Sequence, residues 1–185
     1  GKYSFGTGDR FAHQGEAQLK ALLKARKELG LDITPVWNKS NREHMIVNSS
    51  PADTRIEADA AVKALGYNGP YFVDADHINM SNVEKFVDSS DFFTIDLADF
   101  IGKKAAQSDI DAFIKRNAKY LGKLNIPGIP EAFVITDAVL KAAAEKFLFA
   151  AQEAGRIYRY IAGRKGADNF IPEVSMDEVN DAQTP

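Results

Sequence analysis

Short runs of apolar, β-prone residues alternate along the chain with longer stretches whose apolar positions recur at helical spacing. That alternation is the pattern of βαβ units around a parallel sheet. Residues 3–5 predict a first strand, broken by Gly6, Thr7, Gly8, Asp9 and Arg10. Over 14–29, Leu19, Leu22, Leu23 and Leu29 are spaced for one helical face, and Gly30 is placed to end the helix. Residues 33–37 predict a second strand that runs into a polar stretch, Asn38 to His44. A second helix follows, with Ser50 to cap it, Pro51 at its first position and Gly66 to close it. Residues 71–73 predict the third strand, 81–87 a short helix and 92–97 the fourth strand. The next long segment shows no obvious strand; helices are expected over 108–121, with Ser108 and Asp111 as a capping box, and over 136–161. Strand character returns at 170–174.

Composition narrows the class. The chain has 185 residues, 45% hydrophobic and 26% charged, which is the profile of one folded domain rather than of a disordered segment. A formal net charge of -3 gives no electrostatic reason to expect nucleic acid or an anionic membrane as partner. The longest apolar runs, at 142–144 and 147–151, fall far short of the ~20 residues that span a bilayer. The first eleven residues lack a basic segment followed by an apolar core, so no secretion signal is read there and a cytoplasmic location is expected. Cysteine is absent, which excludes disulfides, thiolate metal sites and thiol nucleophiles. Any metal must be held by histidine and carboxylates.

Each strand-like segment ends in polar or ionisable residues, as on the C-terminal face of a (β/α)8 barrel, although a doubly wound sheet fits the alternation too. A whole barrel takes ~250 residues, and here many are spent on the helical segment. The expected fold is therefore α/β, a partial (β/α)8-type (TIM-like) barrel with about five parallel strands and a helical insertion over roughly 104–165. A single partial domain over 1–185 is expected to continue beyond Pro185, with the missing C-terminal barrel half, or self-association, covering the open edges.

His13, His44 and His77 are the only histidines, and each falls in or just after the polar segment behind one of the first three strands. Imidazole beside carboxylates suits zinc, nickel or manganese. His77 is the strongest case, because it follows Asp74 and Asp76 at the end of a very apolar strand, where bare charges are costly to bury. An extended strand puts Asp74 and Asp76 on one side and His77 on the other, so a bend is needed to bring them together. Glu173, inside the last strand, could serve as general acid or base, or could form an ion pair with Lys39 or Arg10. The Gly6-Thr7-Gly8 run has Phe11 where a dinucleotide loop needs its third glycine; a tight turn aiming Arg10 at an anion explains it more simply. Lys39, Arg42 and His44 after the second strand, Asp96 after the fourth and Asp177 after the fifth complete the strand-end residues expected to bind substrate. No G-x-S-x-G elbow is present.

Four segments carry a resemblance: Ser4-Phe5-Gly6-Thr7-Gly8-Asp9-Arg10, Asp74-Ala75-Asp76-His77, Phe93-Thr94-Ile95-Asp96 and Glu173-Val174-Ser175-Met176-Asp177-Glu178. In order and spacing they resemble the tagaturonate epimerase family, whose relatives include tagatose 4-epimerases. The resemblance implies a metal-dependent epimerase of a hexuronate or ketose on a barrel-like fold, acting at C4. It further implies Asp76 as proton acceptor, Glu173 as proton donor and His77 as one ligand of a divalent metal, with the other histidine ligands beyond Pro185. The partner would be a small sugar or sugar acid. On this reading the 185 residues alone are expected to be inactive or nearly so. The alternatives are a barrel aldolase or isomerase acting on a ketose, and a noncatalytic sugar-acid binding fragment.

Overall fold

The computed structural model describes residues 3–176 and forms two compact units. The first comprises residues up to Asp96 together with 157–175. It contains β1 (Tyr3–Gly8), α1 (Gly15–Leu29), β2 (Ile33–Ser40), α2 (Asn41–Val47), α3 (Pro51–Ala64), β3 (Phe72–Ile78) and β4 (Phe92–Asp96). The C-terminal part of a long helix and the strand after it, Ile171–Ser175, complete this unit. The five strands form one sheet, each pairing parallel with the next in chain order, so the predicted half-barrel is present.

Parallel pairing in continuous register makes the side-chain alternation of each strand coincide with that of its neighbours. Odd-numbered positions of β2 and β3 face the helices: Trp37 and Val73 pack with Leu19 of α1 and Ala58 and Ala61 of α3 in one buried cluster. On β4, Phe93 is fully buried and meets Phe170 edge-on, with ring centroids 5.7 Å apart. Even-numbered positions look the other way. There Gly8, Asn38, Asp74 and Phe92 lie side by side in register, and Thr94 pairs with Glu173, since on the last strand it is the odd positions that face this way. That face is mixed, with Val36, Phe72 and Phe92 apolar and Asn38 and Asp74 polar, the polar groups lying toward the C-terminal ends of β2 and β3.

β1 runs on through Gly6 and Gly8, where a break is predicted from the glycines. The reason is space: a Cβ on Gly8 would stand 2.5 Å from Asn38 Oδ1. The turn comes one residue later, where the Asp9 carboxylate accepts from the N–H groups of Phe11, His13 and Gln14. α2 occupies what reads as a polar loop. Ser40 caps it, with Glu43 N–H donating to Ser40 Oγ and Ser40 N–H to Glu43 Oε2. Ser50 and Asp53 make the expected start of α3, the Ser50 N–H donating to Asp53 Oδ2 at 2.7 Å. The short helix expected over 81–87 is only a 3-10 turn, Val83–Lys85.

The second unit covers 97–156, with Met176. It holds α4 (Gln107–Asn117), the antiparallel strands β5 (Gly122–Leu124) and β6 (Phe133–Ile135), and the first part of α5 (Asp137–Lys165). Ala105, Ile110 and Ala144 form its core, with Phe113, Ile114, Leu148 and Phe149 packed against them. The hairpin answers a segment read as strandless: three residues per strand are too few to show an alternation. Ser108 does not cap α4, which begins at Gln107; Gln107 Nε2 donates to Asp111 Oδ1 instead. After α5, the closing strand is β7 (Ile171–Ser175), bonded to β4.

Replacing Phe93 by alanine removes a fully buried ring from the helix-facing side of the sheet. The expected loss is about 3–5 kcal/mol of unfolding free energy, read from the midpoint of a denaturant titration with far-ultraviolet dichroism unchanged before the transition.

Candidate active site

The polar face of the sheet gathers its ionisable groups at the ends of β3, β4 and β7. Asp74 is the deepest of them. Its Oδ1 accepts from the Thr94 N–H at 3.1 Å, and the Thr94 hydroxyl lies 3.0 Å from Oδ2. Burial raises the Asp74 carboxyl to about 7; the Thr94 bonds oppose that rise, while the nearby charges of Asp76 and Glu173 add to it. The group therefore exchanges its proton near neutrality.

Asp76, two positions on, faces the same way and is paired in register with Ser40. Just beyond it the ladder slips: the β3–β4 register shifts between Ala75 and Ile78, and His77 takes a left-handed backbone with φ 55°. A bulge of this kind turns a side chain that would otherwise point away. His77 Nδ1 then comes within 2.8 Å of Asp76 Oδ1. This is the bend that an extended Asp74-Ala75-Asp76-His77 run requires. With Nδ1–H donated to the carboxylate, the lone pair of neutral His77 is on Nε2.

Glu173 stands opposite Thr94 on the exposed strand β7, so it shares the face with Asp74 and Asp76. Asp96 lies on that face too, in register with Ser175. Arg10 and Arg42 are exposed, in the turn after β1 and on α2. Lys39 and His44 are elsewhere. Lys39 has the odd parity of Trp37 and is 1% exposed, its Nζ donating to Ser49 Oγ at 2.9 Å; His44 is buried beside it and against Phe86. These two form a buried cluster on the helix side of the sheet. Asp177 lies outside the described residues.

Asp74, Asn38 and Thr94 are named in the sequence analysis but given no site role there. Asp74 carried the signal in plain view, as a carboxylate flanked by Val73 and Ala75, two buried apolar neighbours. Asn38 and Thr94 gave none, since their role follows from register alone. For a metal, His77 is one imidazole, and among the described residues no three histidine or acidic side chains come together to hold an ion. A transition ion needs more protein ligands than that. The described residues therefore do not make a complete metal site.

A model of the tagaturonate epimerase family matches residues 1–185. Three crystal structures of fructuronate-tagaturonate epimerase UxaE from Cohnella laeviribosi are similar in fold. The form with one glycerol superposes with a TM-score of 0.70 at 21% identity, the native form with 0.66 at 22%, and the form with two glycerols with 0.67 at 19%. Each match covers 97% of this chain and 38% of the other, so the chain spans little more than a third of their length. No curated protein matches the sequence.

Because the folded chain holds Asp74 near 7, above its ordinary 3.8, the folded state binds that proton more tightly than the unfolded one. The resulting stability is complete below about pH 4 and is lost as pH rises through 7. Relative to Asp74→Asn, the wild-type chain should thus lose on the order of a few kcal/mol between pH 4 and pH 8. Denaturant midpoints across that range measure it. A carboxyl carbon resonance titrating near 7, absent in Asp74→Asn and moved lower in Asp76→Asn, identifies the group.

Proposed function

The chain belongs to the tagaturonate epimerase family, and on that footing we propose that its polar sheet face takes part in epimerising a hexuronate ketose at C4, of the tagaturonate-to-fructuronate type. The observation that carries this is the Asp76–His77 pair, turned by the bulge onto the face that Glu173 shares. The family supplies the reaction and, through the resemblance, the residue roles; the shared face of the three side chains supports them.

C4 of a 2-keto sugar acid is β to the carbonyl, so simple enolisation cannot invert it. Cleavage and re-formation of the C3–C4 bond can. In that route Asp76 takes the proton of the C4 hydroxyl as the C3–C4 bond breaks, leaving an aldehyde at C4 and an enediolate on the other fragment. The aldehyde turns, the bond re-forms on its other face, and Glu173 returns a proton to the new C4 alkoxide. Asp74, carrying its proton through part of the neutral range, keeps the face from holding a third full negative charge beside those of Asp76 and Glu173. His77, donating from Nδ1, orients the Asp76 carboxylate.

Metal dependence belongs to the same proposal. His77 would supply one imidazole, and a divalent ion (zinc, nickel or manganese) would stabilise enediolate charge when bound. Arg10, Arg42 and Asp96 are the groups we assign to the sugar acid, the arginines to its carboxylate. Lys39 and His44, buried and engaged with Ser49 and Phe86, are left out of that assignment. The glycerol held by two of the Cohnella laeviribosi structures is a small polyol, the class of ligand that a face of carboxylates and hydroxyls can hydrogen-bond.

In the full-length protein, Asp76→Asn and Glu173→Gln should each lower kcat for tagaturonate by at least about 100-fold while leaving thermal unfolding nearly unchanged, since each keeps shape and removes a proton-transfer group. Conversion is followed by resolving fructuronate from tagaturonate. Near wild-type kcat in either variant removes that residue from the mechanism.

A further inference from the structure

Behind the sheet lies a polar cluster that the epimerase reading leaves unused. Lys39 Nζ donates to Ser49 Oγ at 2.9 Å, and the same oxygen is 2.9 Å from His44 Nδ1. An ammonium has no lone pair to offer. Ser49 must therefore accept from Lys39, and its own proton points at His44 Nδ1. That assignment fixes the imidazole as the tautomer protonated on Nε2. Burial, reinforced by the Lys39 charge, pulls His44 down to about 4, so it is neutral and able to accept at neutral pH.

Ser49 is only half-buried and sits in the wall of a cavity of about 340 Å3. Phe11, Val47 and Ile56 give that cavity apolar sides, and Asp53 and Glu57 add carboxylates. Phe11 and Ile56 remain 61% and 64% exposed, so the core does not use these surfaces. An apolar cavity with a few convergent polar groups is the usual form of a small-molecule site. The carboxylates on its wall disfavour anions and admit neutral or cationic molecules.

We propose that Ser49 is an activated nucleophile toward small neutral or cationic esters, with His44 as its base and Lys39 as the cation that stabilises its alkoxide. Ser49 Oγ attacks the carbonyl carbon as its proton passes to His44 Nδ1. The ester C–O bond then breaks, and the leaving alkoxide or phenoxide takes the proton from His44, so that an acyl group remains on Ser49 for water to remove. A base as weak as this imidazole makes turnover slow, and covalent labelling is the sensitive readout. Lys39, His44 and Ser49 recur at five-residue intervals with no nucleophile elbow around the serine, which is why sequence motifs do not expose the cluster.

The test treats the whole chain with diisopropyl fluorophosphate, which phosphorylates an activated serine with loss of HF, and locates the adduct by intact and peptide mass. One adduct on Ser49 is expected, absent in Ser49→Ala and formed at least about tenfold more slowly in His44→Gln and in Lys39→Met. The chain has no cysteine, so Ser49→Cys introduces a single thiol. Lys39 should make it react with iodoacetamide at pH 7 at least about tenfold faster than free cysteine. Absence of an adduct on Ser49 overturns the proposal, and so does a Ser49→Cys thiol no more reactive than free cysteine.

Discussion

Everything at the candidate site depends on one constraint, the continuous register of five parallel strands. It forces every odd position of β2 and β3 toward α1 and α3 and every even position onto the opposite face. Trp37 and Val73 make the core cluster possible, and the same pairing places Asn38 beside Asp74 and Thr94 beside Glu173. A one-residue slip would exchange the two faces and bury the carboxylates among the helices. The apolar packing thus holds the carboxylates where they are, at a cost visible in the raised Asp74 carboxyl.

The single departure from that register is where the chemistry is assigned. His77 adopts a left-handed backbone that a histidine enters only against a steric penalty. What the bulge gains is the 2.8 Å contact between His77 and Asp76, which a regular strand would forbid. Local distortion supported by a well-packed sheet is the arrangement expected of a site that must hold its groups in fixed orientation.

How much of this was legible in the chain differs by element. The five strands, α1, α3 and the half-barrel could be read, because alternation, capping residues and glycine stops are local signals. Asp76 and His77 stood out as ionisable residues at a strand end and Glu173 as one inside a strand, and the need for a bend at His77 followed from strand geometry alone. α2 was missed even though Ser40 and Glu43 spell a capping box, since the polar stretch masked it. The Gly8–Asn38 fit, the Asp74–Thr94 bond and the burial of Lys39 and His44 are products of long-range register. No window of sequence contains both partners of the first two, and for Lys39 only parity with Trp37 gives the direction.

The central claim is that the carboxylate face of the sheet, and not the helix side, receives the sugar acid. Amide and side-chain resonances of the isotope-labelled chain, followed as tagaturonate is titrated in, test it most directly. The account predicts shifts at the carboxylate-face positions Asn38, Asp74, Asp76, Thr94 and Glu173, together with His77 and the assigned Arg10, Arg42 and Asp96. Shifts clustered instead at Phe11, Ser49 and Ile56, with those strand-end positions unmoved, would contradict it.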